Sequence, residues 1–294
     1  MLFRRLRLTL EMIKFEHSLF ALPFALTGAM LAWSELGFPV SSMGWQLLWI
    51  VIAMVAARSA AMTFNRILDA EIDFKNPRTR GRHIPAGLLS KRFAWVFLAL
   101  CTFGFVIAAR VLNPLCFVLA PVALSVLFLY SFTKRFTSFS HLVLGFALGM
   151  APAAAWIAVR GSLDPRILLL TAAVTLWTAG FDIIYACQDV EFDQQAGLFS
   201  LPERLGVAGA LLVSRLFHLA MIVCLILLAA VFQLEWLAWS GVALVALLLA
   251  YEQSLVRPDD FSRVNAAFFT VNGWVSVLFF VFWAADMLLG GGGH

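Results

Sequence analysis

The chain has 294 residues and a formal net charge of +4, with 62% of its residues hydrophobic and only 13% charged. Soluble domains carry roughly 25% charged residues, so this composition, with a mean hydropathy of +0.91, excludes a soluble domain, a disordered chain and a disulfide scaffold. It describes a polytopic membrane protein, and the pI near 9.1 is no argument for nucleic acid, because basic loops also orient membrane proteins.

The N-terminus is Arg-rich (Arg4, Arg5, Arg7). No cleavable signal peptide is expected there, since the apolar run that follows has full span length. A spanning helix needs ~20 apolar residues. Segments of that size fall at 17–36, 45–64, 91–111, 113–133, 141–160, 165–187, 207–231, 234–256 and 261–289, with Asn113-Pro114 dividing the third from the fourth. Runs so long and continuously apolar are helices rather than barrel strands. The expected fold is therefore all-α, with nine transmembrane helices around a central cavity that opens near the cytoplasmic face. One transmembrane domain is expected over 1–289, with 290–294 (Gly290–Gly293 and His294) a disordered tail. Cys101, Cys116, Cys187 and Cys224 lie in apolar stretches without C-x-x-C spacing and read as small hydrophobes.

Nine spans put the termini on opposite sides. With the N-terminus inside, the outer segments hold only Arg110, Arg160 and Arg166, and Arg58, Arg66 and Arg215 lie within or at the ends of spans. Every other Lys and Arg falls on the inner side, the bias that the positive-inside rule predicts for a cytoplasmic N-terminus and an external C-terminus.

The acidic residues are grouped. At the end of the second span Asn65, Asp69 and Asp73 follow one another at i, i+4, i+8 and drift by only about 40° per step around a helix, so they share a face. Arg58 lies on that face, deeper in the span, and Glu71 points elsewhere. At the end of the sixth span Asp182, Tyr185, Asp189 and Asp193 share a face in the same way, with Glu191 opposite. Both spans run outward to inward, so both acidic faces are expected at the cytoplasmic side of one cavity. A single carboxylate at a span end is an ordinary solvated terminus; two such series are not. Crowded carboxylates stay ionised only beside cations, and an oxygen-only donor set without a His/Cys cluster suits Mg²⁺ bridging to phosphate.

Basic residues follow. The loop after Asp73 carries Lys75, Arg78, Arg80 and Arg82, the fourth span ends in Tyr130 with Lys134 and Arg135 just beyond, and Lys14 precedes the first span. Arg78, Arg82 and Lys134 are the candidates for holding a diphosphate; Arg80, Lys91, Arg92 and Arg135 satisfy the positive-inside rule. Arg58, costly near mid-span, would face an anionic acceptor such as an aromatic carboxylate. Of only three Tyr against 28 Phe, Tyr130 and Tyr185 lie in these clusters.

Asn65-x-x-x-Asp69-x-x-x-Asp73 with Arg78 and Arg82, together with Asp182-x-x-Tyr185-x-x-x-Asp189-x-x-x-Asp193, resembles the two aspartate-rich motifs of the UbiA superfamily of intramembrane prenyltransferases. The resemblance covers essentially the whole chain, and nine helices with the N-terminus inside match that family. One departure is Arg66, where many members carry Asp. The stretches Lys14 to Phe24, with His17 and Pro23, and Asn76 to Gly87 look most like the 4-hydroxybenzoate-type polyprenyltransferases of bacterial quinone synthesis, particularly the subgroup linked to futalosine-route menaquinone.

The resemblance implies a protein of the bacterial inner membrane that binds two Mg²⁺ and a polyprenyl diphosphate. By position, Asn65, Asp69, Asp73, Asp189 and Asp193 would hold metal. Asn65, Arg78, Arg82, Tyr130 and Lys134 would hold the diphosphate or the ions, Arg58 would face an aromatic acid, Tyr185 would contact substrate, and Asp182 or Asp189 would accept the ring proton. Another acceptor (a dihydroxynaphthoate, homogentisate or haem) is the alternative within the enzyme class. A divalent-cation transporter is the alternative outside it, disfavoured by the Arg and Lys beside the acids. Membrane lipid is an expected partner and nucleic acid is not; the sequence does not give the oligomeric state.

Overall fold

The structure, a computed structural model, describes residues 2–13 and 18–290. Twelve α-helices carry the described chain: α1 (Leu2–Met12), α2 (Ser18–Ser34), α3 (Val40–Leu68), α4 (Ala70–Lys75), α5 (Lys91–Leu112), α6 (Pro114–Thr133), α7 (Ser140–Arg160), α8 (Leu168–Ala186), α9 (Val190–Ala196), α10 (Leu201–Val231), α11 (Trp236–Ser254) and α12 (Asn272–Gly290). No strand occurs among the described residues, as the continuous apolar runs require. Eight helical segments are long and apolar enough to cross a membrane. The first expected span, 17–36, is the shorter helix α2 of 17 residues. Lys14 and His17 lie outside the described residues, as does the tail beyond Gly290.

Local sequence chemistry sets the boundaries. Between α5 and α6, Asn113 leaves helical geometry (φ −170°, ψ 168°), its side chain accepts a hydrogen bond from the Cys116 N–H at 2.9 Å, and Pro114 takes the first helical position. That is the cap-then-proline order favoured at a helix start. Ser200 caps α10 in the same way, accepting from the Glu203 N–H at 3.2 Å.

The described chain forms two compact units. The first comprises α1 and Trp45–Phe132. Its apolar cluster joins Met12 at the end of α1 and Ile13 after it, Ile67 and Ala70 flanking the α3–α4 junction, Ile84 and Leu89 of the following loop, and Ala94 and Leu98 of α5. Burying side chains of this size stabilises by ~1.5–3 kcal/mol each where the alternative is water, so the basic loop between α4 and α5 is tied down at both ends. The Glu11 carboxylate, which accepts from Arg7 Nε at 2.7 Å and lies 3.5 Å from His83 Nε2, is held below the ordinary range by hydrogen bonds from those two residues.

The second unit takes Leu19–Gly44 and the chain from Thr133. Within lipid, apolar burial discriminates little between packed and separated helices, so close backbone approach through small residues carries the association. Gly145 and Gly149 of α7 form such a seam against α8: a Cβ on Gly145 would sit 2.2 Å from the Thr175 carbonyl oxygen, and one on Gly149 2.3 Å from Thr175 Oγ1. A buried acid in α12, Asp286, caps α11 from outside, accepting from the Glu235 N–H (2.8 Å) and the Ala238 N–H (3.0 Å), where the positive end of the helix dipole favours a carboxylate. Arg166 joins Glu35 (2.5 Å) to Asp164 (2.6 Å); its hydrogen bonds hold the Asp164 carboxyl below the ordinary range.

Candidate active site

The two acidic segments have one local design. α3 ends at Leu68 and α4 begins at Ala70; Asp69 between them has φ −85°, ψ 0°. α8 ends at Ala186, a 3₁₀ turn covers Cys187–Asp189, and Asp189 has φ −105°, ψ 5° before α9. Both aspartates therefore sit in the sparsely used bridge region, where active-site residues recur. Each begins an Asp-x-Glu-x-Asp run, Asp69 to Asp73 and Asp189 to Asp193. The continuous helices that the spacing predicts are thus interrupted at the first Asp of each run. The i, i+4 stacking survives the first interruption, because the Asp69 N–H still bonds the Asn65 carbonyl (2.9 Å) and the Asp73 N–H the Asp69 carbonyl (2.7 Å). Neither Asp69 nor Asp189 caps the helix it precedes with its side chain. The off-face acids Glu71 and Glu191 are exposed, and Glu71 meets Lys91 at 3.6 Å.

In the first unit the carboxylates are buried: Asp69 is 2% and Asp73 5% exposed. Asn65 Nδ2 donates to Asp69 Oδ2 at 3.0 Å, an orientation that the acceptor-only carboxylate dictates and that leaves the Asn65 carbonyl oxygen as an available ligand. Arg82 Nη1 donates to Asp73 Oδ1 at 2.6 Å. Asp73 Oδ2 is buried without a hydrogen bond, with Arg66 Nη1 at 4.0 Å. Arg66 is itself buried, donates to the Met12 carbonyl at 3.4 Å, and lies within the electrostatic reach of Asp69, Asp73, Arg82 and Tyr130. The loop is folded onto this group: Thr79 Oγ1 donates to the Asp73 carbonyl at 3.1 Å, and Asn76 Oδ1 accepts from the Arg78 N–H at 2.9 Å. The Arg78 side chain is exposed, and Arg58 and Tyr130 are half-buried. The same unit has an open apolar groove of about 520 Å³ beside Phe64, lined by Trp95, Phe103 and Phe128 among others.

In the second unit Lys134, Asp182, Tyr185, Asp189 and Asp193 are all half-buried. Asp193 is hydrogen-bonded to the Ser200 hydroxyl and lies in the fields of Lys134, Asp189 and His141. Asp182 Oδ2 lies 2.7 Å from His141 Nδ1, and His141 Nε2 accepts from the Leu201 N–H at 3.4 Å. That bond makes Nε2 the acceptor, so in the neutral ring the proton sits on Nδ1 and is donated to Asp182. The Phe199 N–H bonds the Lys134 carbonyl at 2.8 Å, which joins the segment before α10 to the residue after α6.

Sequence reasoning missed three contributors. Arg66 read as a departure from a pattern, yet it is a buried countercharge for Asp73. His141 is 41 residues from Asp182, and Ser200 lies beyond the spaced acidic series. The metal-ligand candidates fit Mg²⁺ chemically. Their side chains offer carboxylate and amide oxygens, and one buried carboxylate oxygen has no hydrogen bond. Mg²⁺ characteristically takes one or two carboxylates and completes its shell with water and substrate phosphate.

Long apolar helices carrying two Asp-x-Glu-x-Asp segments, with Arg and Lys beside them, define a polytopic membrane protein with acidic and basic side chains grouped at span ends. The UbiA prenyltransferase family matches residues 21–288, and the chain belongs to that family. It is 31% identical over 243 residues to the 4-hydroxybenzoate octaprenyltransferase of Vibrio atlanticus (strain LGP32), covering 81% of this chain and 84% of that protein. The apo structure of a UbiA homolog from Aeropyrum pernix K1 is 33% identical, with a TM-score of 0.83 over 92% of this chain and 98% of that one. A UbiA homolog from Archaeoglobus fulgidus bound to DMAPP and Mg²⁺ shares the fold at 18% identity, with a TM-score of 0.68 over 96% and 99%.

Proposed function

We propose that the chain transfers a polyprenyl group from an isoprenoid diphosphate to an aromatic acid of the 4-hydroxybenzoate type, with Mg²⁺, as one domain over 1–289 in a bacterial inner membrane. Its N-terminus would be cytoplasmic and its C-terminus external. The observation that carries the reading is the first acidic cluster. A buried carboxylate pair is compensated by Arg82 and Arg66 yet keeps one oxygen without a hydrogen bond, and the second unit repeats the same Asp-x-Glu-x-Asp break. The names of the Vibrio and Archaeoglobus proteins support the substrate and metal classes.

In this reading Asn65, Asp69 and Asp73, with Asp189 and Asp193, hold the ions, while Arg78, Arg82, Tyr130 and Lys134 bind the diphosphate oxygens. Bound Mg²⁺ supplies charge neutralisation for the departing diphosphate. The Arg and Lys donors are preorganised for the same developing charge. As the allylic C–O bond breaks, the allylic carbon becomes cationic and is attacked by a ring carbon beside the phenolic hydroxyl. Arg58 orients the acceptor through its carboxylate, and the displaced ring proton goes to Asp182 or Asp189. Asp182, already accepting from His141, is held in one orientation for either role.

The test is purified protein with Mg²⁺, a panel of allylic diphosphates and a panel of aromatic acids, with products read by mass spectrometry. Prenylated 4-hydroxybenzoate is expected. Prenylation confined to acceptors lacking a carboxylate, or metal flux in liposomes without any prenylated product, would overturn the reading.

A further inference from the structure

A polar network in the second unit serves no part of the chemistry just described. α12 is preceded by a π-helical turn over Ala266–Val271, a widened turn that leaves carbonyls without their usual helical partners and that recurs at functional sites. Asn272, fully buried at its end, donates from Nδ2 to the Ala267 carbonyl (3.1 Å) and the Phe268 carbonyl (3.3 Å). The same Nδ2 donates to Glu252 Oε1 of α11 at 2.9 Å, and Asn272 Oδ1 accepts from Trp177 Nε1 of α8 at 2.6 Å. Glu252, Asn272 and Trp177 are each 0% exposed. One amide thus ties three helices together at the widened turn.

The turn carries Phe268 and Phe269. The Phe268 ring lies 4.4 Å from Tyr185, 5.1 Å from Phe181 and 6.2 Å from Phe20; Phe269 lies 6.2 Å from Tyr185. Tyr185 stands four residues before Asp189, and Tyr185, Phe268 and Phe269 are only half-buried. The widened turn shifts the register of the two phenylalanines relative to α12 from what an ordinary α-helical turn would give.

We propose that Asn272 and Glu252 are positioning residues that hold the π-helical turn so that Phe268, with Tyr185, presents ring faces to positive charge developing on the allylic group. Ring faces attract cations, most strongly where water is excluded. The inference rests on the prenyl-transfer reading and assigns residues to it beyond the acidic and basic clusters.

Steady-state kinetics on the full-length protein in detergent test it. Phe268→Leu, Asn272→Leu and Glu252→Leu are each expected to lower kcat about tenfold or more, with KM for the diphosphate changed by less than about twofold, because the groups that hold the diphosphate are untouched. Glu252→Gln keeps the accepting oxygen and is expected to stay within about twofold of wild type. The Phe268→Leu/Asn272→Leu double variant is expected to lose no more than the worse single variant, the signature of two residues acting through one element. Wild-type kcat in Phe268→Leu, additive losses in the double variant, or equal losses in Glu252→Gln and Glu252→Leu would overturn the proposal. Phe268→Leu, at a half-buried site, keeps the test decisive if the buried variants fail to fold. Failure of the wild-type protein to transfer any prenyl group would count against the prenyl-transfer reading instead.

Discussion

Asp73 is the residue on which the first acidic cluster turns. Its two oxygens are treated differently: one is bonded by Arg82, and the other is buried without a hydrogen bond, with the Arg66 guanidinium 4.0 Å away. Arg82→Ala is expected to raise KM for the diphosphate at least about tenfold, which corresponds to about 1.4 kcal/mol of binding; Arg82→Lys should not restore it, because a point charge does not reproduce the guanidinium fork. Unchanged KM in either variant would remove Arg82 from the binding group. Arg58→Gln separates acceptor from donor binding: KM for the aromatic acid should rise about tenfold while that for the diphosphate moves less than about twofold. His141→Ala leaves both the Asp182 carboxylate and the Leu201 N–H short of a partner. An unsatisfied buried group costs about 1–3 kcal/mol, so the thermal midpoint in detergent should fall, and an unchanged midpoint would contradict the assigned pairing.

At the level of elements the first acidic series was legible because helical spacing is a strong signal: Asn65, Asp69 and Asp73 still follow one another through backbone hydrogen bonds, and the off-face acids Glu71 and Glu191 are exposed. The interruptions at Asp69 and Asp189 were not legible, since nothing in an i, i+4 pattern reports a residue's φ and ψ. Nor were the roles of His141, Ser200 and Arg66, whose partners are set by which helices lie side by side. The α7–α8 seam gives an element-scale prediction. A Cβ on Gly145 would meet the backbone oxygen of Thr175, which cannot move aside as a side chain can, so Gly145→Ala should destabilise by about 1–3 kcal/mol. Gly104→Ala, where the nearest atom is Ala56 Cβ at 4.0 Å, should be neutral or slightly stabilising. Equal thermal midpoints for the two variants would show that the seam does not govern packing.

For the whole molecule, composition pointed to a polytopic membrane protein and the long continuous apolar runs to helices; among the described residues the expected spans return as eight long apolar helices with the shorter α2. The proposed orientation is checked by membrane-impermeant labelling, in intact cells, of cysteines introduced one at a time at the exposed positions Arg80 and Leu163. Labelling confined to position 163 is expected, and the opposite pattern would invert the topology. The central claim, that both acidic segments grip an isoprenoid diphosphate through Mg²⁺, is tested most directly by calorimetric binding of a polyprenyl diphosphate to the purified protein with and without Mg²⁺, alongside Asp73→Asn and Asp193→Asn. Binding should require Mg²⁺ and weaken at least about tenfold in each variant. Tight binding in the absence of divalent metal, or wild-type affinity in either variant, would contradict it.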